Sequence, residues 1–306
     1  GTDKANITLR RMLTHTARLK AWIPYYLKTM DSLTNKPKTK WYTSTYSKDF
    51  PYNVANQMYM KREYKDSIYR FIKESELREK VAYKYSDLPY YLLMKYLEEY
   101  YGSPLESLVQ QNFYETLGAY SMTYKPLHKF HKNSIVPTEE DTYFRMQKIH
   151  GYVHDQGAAM LGGVSGHAGL FSTANDVAKM MQLFLNGGSY GEKQYLSQEV
   201  INDFNTCYYC DDDVRRGIGF DKPQLEDSGP TCGCVSMSSF GHSGFTGTFT
   251  WADPDRDIVY VFMSNRTCPS ASNKEMIKTI VRTAVHHSIS QAILYYINTH
   301  NPHASH

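Results

Sequence analysis

Two short segments, far apart in the 306-residue chain, carry side chains that are suited to proton transfer. Tyr85-Ser86-Asp87 places a phenol and a carboxyl group at the start of a helical stretch. The sequence Gly-His-Ser-Gly-Phe at residues 241–245 places an imidazole just before a β-rich stretch. Tyrosine, aspartate and histidine all act as acids or bases in enzymes. No serine is followed by lysine three positions later, so the sequence contains no Ser-x-x-Lys nucleophile motif.

The elements around these segments predict an α+β fold. Residues 88–101 have helical spacing and Gly102 supplies a stop, so a helix should begin directly after Asp87. The segments 245–251 and 257–265 read as strands joined by a turn, and 273–296 as one long helix. Helices in the middle and an antiparallel sheet near the end favour α+β over repeated βαβ units.

The remaining segments predict the elements between these two motifs. Residues 1–60 should form loops and short helices, and 65–79 a surface helix. A second helix should start at Ser103-Pro104 and run to about residue 113. Residues 157–169 contain five glycines and should form a loop with close backbone contacts, followed by a helix capped within 172–176.

Composition excludes several classes of protein. The net charge of +3 is small, and the lysines and arginines are spread along the chain. A nucleic-acid binder would instead carry them as a basic patch. The longest apolar runs, such as residues 258–263, are too short to cross a bilayer. We therefore expect no nucleic-acid partner and no membrane span.

Four of the five cysteines lie in two pairs, Cys207 with Cys210 and Cys232 with Cys234. A four-thiolate zinc site is an alternative, but Cys-x-Cys is tighter than the usual spacing of such sites, and Cys268 fits no pairing. Free thiols are the favoured interpretation, ahead of a disulfide between the two segments. No metal and no cofactor are predicted.

Several longer motifs carry a family resemblance over essentially the whole chain. They are Arg-Arg-Met-Leu-Thr-His-Thr at 10–16, Tyr85-Ser86-Asp87, and the segments 153–158, 166–172, 219–223, 240–248 and 263–266. Each motif alone is weak, but their order and spacing are specific. The chain resembles the class C β-lactamase, penicillin-binding-protein and esterase-like serine hydrolases. Within them it is similar to a bacterial subgroup often fused behind a β-N-acetylglucosaminidase domain.

The resemblance implies one β-lactamase-like domain over 1–306, with an active site between two lobes. The mostly helical lobe would cover roughly 20–190, and the sheet with the C-terminal helix roughly 215–298. The chain is expected to start after the family's N-terminal strands and nucleophile helix, so that the Ser-x-x-Lys motif would lie outside it.

The resemblance also gives roles to the residues of the first motif. Tyr85 would act as the general base and then as the proton donor to the leaving group, while Ser86 would be mostly a spacer. Asp87 stands where asparagine is more usual, and would orient the substrate or the lysine as an acceptor. Its negative charge would oppose a phenolate at Tyr85 and repel a β-lactam that carries a carboxylate.

The second motif would bind the substrate. His242 stands where β-lactamases commonly carry lysine, and a neutral histidine can only form hydrogen bonds. This favours an ester, an amide or a peptidoglycan-derived substrate. Within the Ser243-Gly244-Phe245 segment, Gly244 would let the substrate lie against the strand, and the Phe245 N–H would be an oxyanion-hole donor.

Structural roles remain open as alternatives at these positions. Tyr85 could be an aromatic residue at a helix start, and His242 a strand residue with a backbone partner. His154 and Asp155 could form an orienting pair near the cleft or, as we favour, a hydrogen bond that stabilises a loop. His15 should be buried and structural. His286 and His287 should lie at the surface.

Three functional hypotheses follow. The first is a serine hydrolase domain acting on a small-molecule or peptidoglycan-derived substrate, without turnover in this chain alone. The second is a non-catalytic peptidoglycan-binding or accessory module of a fused glycosidase. The third is an unrelated α+β binding domain that matches by chance. The resemblance favours a periplasmic or cell-surface location.

Overall fold

The computed structural model describes residues 3–224 and 229–300. The chain divides into two compact units. Unit 1 comprises Gly1–Asp176 and Thr267–Ala271, and unit 2 comprises Val177–Arg266 and Ser272–His306. Helices and antiparallel sheets occur together, which confirms the predicted α+β class.

The helices of the described chain are mostly short. They are α1 (Leu9–Leu13), α2 (Tyr64–Glu74), α3 (Leu88–Tyr101), α4 (Leu105–Val109), α5 (Gln156–Met160), α6 (Ala174–Leu185), α7 (Gln198–Asn205), α8 (Glu275–Lys278) and α9 (Val281–His300). None of these described helices is both long and apolar enough to cross a membrane.

The strands form two three-stranded antiparallel sheets and two hairpins. The strands are β1 (Tyr42–Thr43), β2 (Tyr52–Ala55), β3 (Met58–Met60), β4 (Pro137–Asp141), β5 (Gln147–His150), β6 (Ser189–Tyr190), β7 (Lys193–Gln194), β8 (Phe240–Ser243), β9 (Phe249–Asp253) and β10 (Ile258–Phe262). The sheet orders are β1-β3-β2 and β10-β9-β8, and β4 pairs with β5 as β6 does with β7.

Helix α3 has the predicted bounds and ends at Gly102, whose φ of 61° is left-handed as expected of a glycine stop. Its buried face includes Leu88, Tyr91 and Met94, which belong to the main core of unit 1 together with Ile68 and Ile72 of α2. Burying each large apolar side chain is worth about 1.5–3 kcal/mol. Helix α3 therefore gives the residues that precede it a firm base.

The predicted hairpin near the end of the chain is confirmed, with β9 and β10 paired from Asp253↔Ile258 to Phe249↔Phe262. Strand β8 adds to the other edge of β9, where Gly241 lies opposite Trp251. A Cβ atom at Gly241 would lie 2.1 Å from the Thr250 carbonyl oxygen, so only glycine fits there. This close approach holds β8 against β9 in the pairing that places His242 opposite Thr250.

Four local predictions were wrong. Residues 1–60 contain the β1-β3-β2 sheet as well as loops, and residues 157–160 lie in α5 rather than in a loop. The C-terminal helix is broken between α8 and α9, where Ile280 has a φ of 45°. His286 is 3% exposed and stacks on Tyr260, so it is not a surface residue; His287 is exposed, as predicted.

The interpretation of the cysteines as free thiols was also wrong for four of the five. Disulfides join Cys207 to Cys210 and Cys232 to Cys234, within each pair rather than between the pairs, and Cys268 is free. Chain bends bring the Cα atoms to 5.5 Å and 5.2 Å, within the range that a disulfide needs. A four-thiolate zinc site is therefore excluded in this oxidised form.

Candidate functional site

The backbone around Tyr85-Ser86-Asp87 is anchored to the segment before it. The Ser86 hydroxyl donates to the Lys20 carbonyl oxygen at 2.7 Å, and the Asp87 N–H donates to the Ala21 carbonyl oxygen at 2.9 Å. The Ser86 oxygen also accepts from the Leu88 N–H at 3.3 Å. Ser86 is 2% exposed, so it anchors the start of α3 rather than acting only as a spacer.

His15 holds the tyrosine of this motif. Its Nδ1 accepts a hydrogen bond from the Ser86 N–H at 3.1 Å, and its ring lies 4.3 Å from the Tyr85 ring, between centroids. Because Nδ1 accepts, the ring proton must be on Nε2, and the imidazole is neutral. His15 is 1% exposed, which confirms the buried position predicted for it, whereas Tyr85 is 37% exposed.

Asp87 lies beside a histidine and a second aspartate. Three atoms lie within 4.8 Å of one another: a carboxylate oxygen of Asp87, a carboxylate oxygen of Asp155 and a ring nitrogen of His167. His167 Nε2 is 3.0 Å from Asp155 Oδ1, and His167 Nδ1 is 2.9 Å from the Ser165 hydroxyl. The same Asp155 oxygen accepts from the Ala158 N–H at 2.7 Å, which caps α5 and explains why a helix forms there.

The electrostatics of these three groups are coupled. Burial raises the pKa of Asp87 to about 6, with Asp155 adding to the rise and His167 opposing it. Burial also pushes the pKa of Asp155 upward, but the charge and hydrogen bond of His167 and the Ala158 N–H hold it below its ordinary value. For His167, burial works against the charge, yet Asp155 and Asp87 raise its pKa overall.

His154 and Asp155 have different partners. His154 Nε2 lies 3.2 Å from Glu139 Oε2, while the Asp155 carboxylate contacts His167. Glu139 is also 2.8 Å from Arg145, which in turn contacts Asp141 at 2.6 Å, and these three side chains are almost fully buried. His154 thus lies beside the ion pairs of Glu139, Arg145 and Asp141, whereas Asp155 belongs to the group around Asp87.

In unit 2, burial and the Arg216 guanidinium favour the neutral form of His242. Its Nδ1 is 2.9 Å from the Ser243 carbonyl oxygen, which can only accept, so Nδ1 carries the proton. Its Nε2 is 3.3 Å from Arg216 Nη2, which can only donate. Arg216 also pairs with Asp221. Burial lowers the pKa of His242, and Arg216 adds to this effect while Asp221 and the Ser243 carbonyl oppose it.

The residues after His242 form the tight turn between β8 and β9. The Gly244 N–H donates to the Thr248 carbonyl oxygen at 2.8 Å, and a Cβ atom on Gly244 would lie 2.2 Å from Thr248 Oγ1. Phe245 is 64% exposed at the tip, with the Arg266 guanidinium 4.4 Å from its ring centroid. The predicted substrate-binding residues Ser243, Gly244 and Phe245 therefore share one turn with His242.

The structure thus shows two groups of candidate residues and adds members to each. Tyr85, Asp87 and Asp155 lie around α3 and α5 in unit 1, where His167 joins them, and the His242 turn lies in unit 2, where Arg216 and Asp221 join it. His167 lies in the 166–172 motif that carries part of the family resemblance, but no role was predicted for it. No sequence signal pointed to Arg216.

Two groups in the described residues have the donor atoms for a metal ion. They are Asp87 with Asp155 and His167, and Cys232 with Cys234 and His287. In the first group His167 is already in a hydrogen-bonded ion pair with Asp155, and in the second both sulfurs are used by the disulfide. We therefore assign no metal to either group.

Comparison with known proteins identifies relatives in sequence. The profile described as Beta-lactamase matches residues 1–284. A curated relative from Escherichia coli O157:H7, named "Putative D-alanyl-D-alanine carboxypeptidase", is 38% identical over 195 residues, which are 60% of this chain and 44% of the relative. A relative of the same name from Salmonella enteritidis PT4 is 32% identical over 239 residues, 73% of this chain and 54% of the relative. The chain spans about half the length of these curated relatives.

Solved structures show the same fold. Simvastatin synthase from Aspergillus terreus matches with a TM-score of 0.57 and 17% identity, covering 93% of this chain and 68% of that one. A penicillin-binding protein homologue from Caulobacter crescentus matches with a TM-score of 0.54 and 16% identity, covering 87% of this chain and 67% of that one. With the sequence profile covering residues 1–284, the chain belongs to the β-lactamase family.

Proposed function

We propose that this chain is the larger part of a serine hydrolase that transfers or hydrolyses the acyl group of an amide, ester or β-lactam-like bond in a cell-wall-derived substrate. One observation carries the proposal. In a chain of the β-lactamase family, Tyr85-Ser86-Asp87 stands at the start of α3 and His242-Ser243-Gly244 at the end of β8. The name of the curated relatives makes peptides that end in D-alanine the first substrate class to test.

The proposed chemistry needs a serine nucleophile from a Ser-x-x-Lys segment outside these 306 residues. Tyr85 takes the proton of that serine and returns it to the leaving group, which is general base and then general acid catalysis. The Phe245 N–H and the serine N–H stabilise the oxyanion. Neutral His242 donates from Nδ1 to the Ser243 carbonyl oxygen and accepts at Nε2 from Arg216, whose guanidinium also pairs with Asp221. This chain alone is then without turnover.

The test is intact mass after incubation with a fluorophosphonate and, separately, with a penicillin. The 306-residue chain is compared with a longer gene product that carries the upstream segment. A mass increase in the longer protein alone supports the proposal, and Tyr85→Phe in that protein should slow the labelling strongly. Labelling of the 306-residue chain would show that one of its own serines is activated, contrary to the proposal.

A second candidate function is a non-catalytic module that binds peptidoglycan fragments. It is favoured by a cavity of about 850 Å³ in unit 1, whose lining includes Tyr52, Tyr59 and Tyr152 and the ion pair of Lys125 with Glu106 at 2.8 Å. Tyr85, Asp87 and His167 are not in its lining. Absence of labelling in both proteins, with muropeptide binding that Tyr52→Ala weakens, would favour this second function.

Location and neighbours remain part of the proposal. Disulfides persist mainly in oxidising compartments, and the two in this chain support a periplasmic or cell-surface location. We also propose a single β-lactamase-like domain that is fused to a β-N-acetylglucosaminidase in the native protein. Mass spectrometry of the native gene product from cell fractions tests both points.

A further inference from the structure

His167 can carry a proton on each ring nitrogen without losing a partner. Nε2 lies 3.0 Å from an Asp155 carboxylate oxygen, and an ionised carboxylate only accepts, so Nε2 is the donor. Nδ1 lies 2.9 Å from the Ser165 hydroxyl, which can accept as readily as donate. His242 differs here, because its Nε2 faces a guanidinium.

The surroundings of His167 favour the charged form. Burial opposes this charge, since the side chain is 3% exposed. The ring, however, stacks on Tyr91 with centroids 4.4 Å apart, an arrangement that attracts a cation to the ring face. The titratable groups around it include the carboxyls of Asp155 and Asp87, which raise the pKa of His167. The phenols of Tyr91 and Tyr25 interact with the same carboxyls, and burial raises the pKa of both phenols. The charge of His154 lowers the pKa of Asp155.

Asp87 has few other sources of positive charge. Among the residues that the structure describes, no lysine or arginine forms an ion pair with Asp87. A ring nitrogen of His167 lies within 4.8 Å of an Asp87 carboxylate oxygen. An opposite charge at this distance favours the ionised carboxylate.

We propose that His167, clamped by Asp155 and Ser165, is a positioning residue that keeps Asp87 ionised and sets the negative charge that the Tyr85-Ser86-Asp87 element presents to a substrate. This inference rests on the proposed function. With the imidazolium present, the two carboxylates and His167 together carry one net negative charge. Without it they carry two at any pH at which Asp87 is still ionised. The second charge would oppose both a phenolate at Tyr85 and a substrate carboxylate.

The effect of His167 should therefore depend on the charge of the substrate. Asp87 in place of asparagine would by itself repel a substrate that carries a carboxylate, and His167 offsets this repulsion. In the longer, nucleophile-bearing protein, at a pH above the Asp87 midpoint of the variant, His167→Gln should lower acylation by penicillin, which carries a carboxylate, about tenfold more than acylation by a neutral phenyl ester. A purely structural role of His167 would lower both rates equally.

The decisive experiment is an NMR titration of the 306-residue chain, with the His167 ring signal assigned by His167→Gln. We expect His167 to titrate above 6.5, and Asp155→Asn to lower its midpoint by about one unit or more. In His167→Gln, the Asp87 carboxyl should titrate at higher pH than in the wild type. Glu140→Gln, which removes an exposed carboxylate of the same unit, is the matched control and should change neither midpoint.

The outcomes are separable from those of the proposed function. The inference is overturned if wild-type His167 titrates at or below about pH 6.5, or if Asp155→Asn does not change its titration midpoint. Either result counts whether or not any probe acylates the protein. If His167→Gln does not fold, the wild-type and Asp155→Asn titrations still decide. Expected titrations without acylation of the longer protein would remove the proposed function but leave the charge state of His167 established.

Discussion

The two candidate groups each contain a partly buried histidine, an aspartate and a third polar partner, yet their charges differ. His167 in unit 1 lies between Asp155 and Ser165 with Asp87 nearby, and its pKa is raised. His242 in unit 2 lies between a carbonyl oxygen and Arg216, and its pKa is lowered. Burial disfavours the imidazolium in both places, so the neighbours decide which form is present.

His286 extends this contrast within unit 2. Its ring stacks on Tyr260 with centroids 4.5 Å apart, and burial lowers its pKa to about 4. Unit 2 thus holds two histidines in the neutral form, whereas unit 1 stabilises a positive charge between carboxylates. Under the proposed function, the first group handles protons and charge, and the second presents hydrogen bonds to the substrate.

The largest expected effect comes from breaking the unit 1 pair with Asp155→Ala. This change leaves His167 without its carboxylate and α5 without its N-cap. Removing one partner of a fully buried ion pair costs roughly 3–5 kcal/mol, and because Asp155 is 32% exposed we expect a loss of about 2–4 kcal/mol. The measurement is the free energy of unfolding from denaturant titration.

Asp155→Asn is the control for this prediction, because the amide oxygen can still accept from the Ala158 N–H. It should cost less than the alanine variant, and the difference between the two variants measures the cap. An alanine variant as stable as the wild type would show that the unit 1 pair contributes nothing to folding.

The next effect comes from removing the guanidinium that faces His242. Arg216→Met should raise the pKa of His242, because the lowering effect of Arg216 is lost while Asp221 remains. The loss of the ion pair with Asp221 should cost about 1–3 kcal/mol of stability. NMR titration of His242 and denaturant unfolding give the two values.

The neighbouring arginine is a matched control for Arg216→Met. The Arg215 guanidinium contacts the Pro223 carbonyl oxygen and Cys210, and not His242. Arg215→Met should therefore leave the titration of His242 unchanged. Equal shifts in both variants would mean that general positive charge, rather than the contact with Arg216, keeps His242 neutral.

Local sequence signals were enough for the elements on which the first motifs stand. Helix α3 was predictable because its spacing and its glycine stop are local, and so was the β9–β10 hairpin. The β-lactamase-like α+β fold followed from the order of the motifs. Tyr85, Asp87 and His242 could be proposed because each lies in a short motif.

The missed features depend on contacts between distant residues. Helix α5 forms in a glycine-rich segment because Asp155 caps it and because Gly157 lies against Tyr91, whose hydroxyl would be 1.8 Å from a Cβ atom. The partner of His167 is 12 residues away and that of His242 is 26 residues away. No local pattern specifies such pairs, so His167 and Arg216 were found only in the structure.

A pH titration of stability sharpens the comparison further. The folded pKa of His286 is about 4, below the ordinary 6.5, so the unfolded chain takes up this proton first. Its contribution to stability is present above about pH 6.5 and is lost as the pH falls toward 4. His167, with its raised pKa, contributes in the opposite sense, since its stabilisation is present below 6.5 and is lost as the pH rises through its folded pKa.

His286→Phe separates these two effects, because phenylalanine keeps the stacking on Tyr260 and does not titrate. We expect the melting temperature of this variant to fall less steeply than that of the wild type between pH 6.5 and 4. His287→Phe changes the exposed neighbour and should keep the wild-type slope. If His286→Phe also keeps that slope, the acid sensitivity arises elsewhere.

The smallest effect is expected at Phe245, where the cation lies on an exposed ring rather than in a buried pair. The Arg266 guanidinium is 4.4 Å from the ring centroid, but the side chain is 64% exposed, and such contacts contribute about 0.5–1 kcal/mol at most. Phe245→Ala should therefore lower the free energy of unfolding by less than about 1 kcal/mol. Because the turn is held by the backbone bond from Gly244 to Thr248, it should survive this change. If Phe245→Ala lowers the free energy of unfolding as much as Asp155→Ala does, then the turn, and with it the group around His242, depends on the Phe245 side chain.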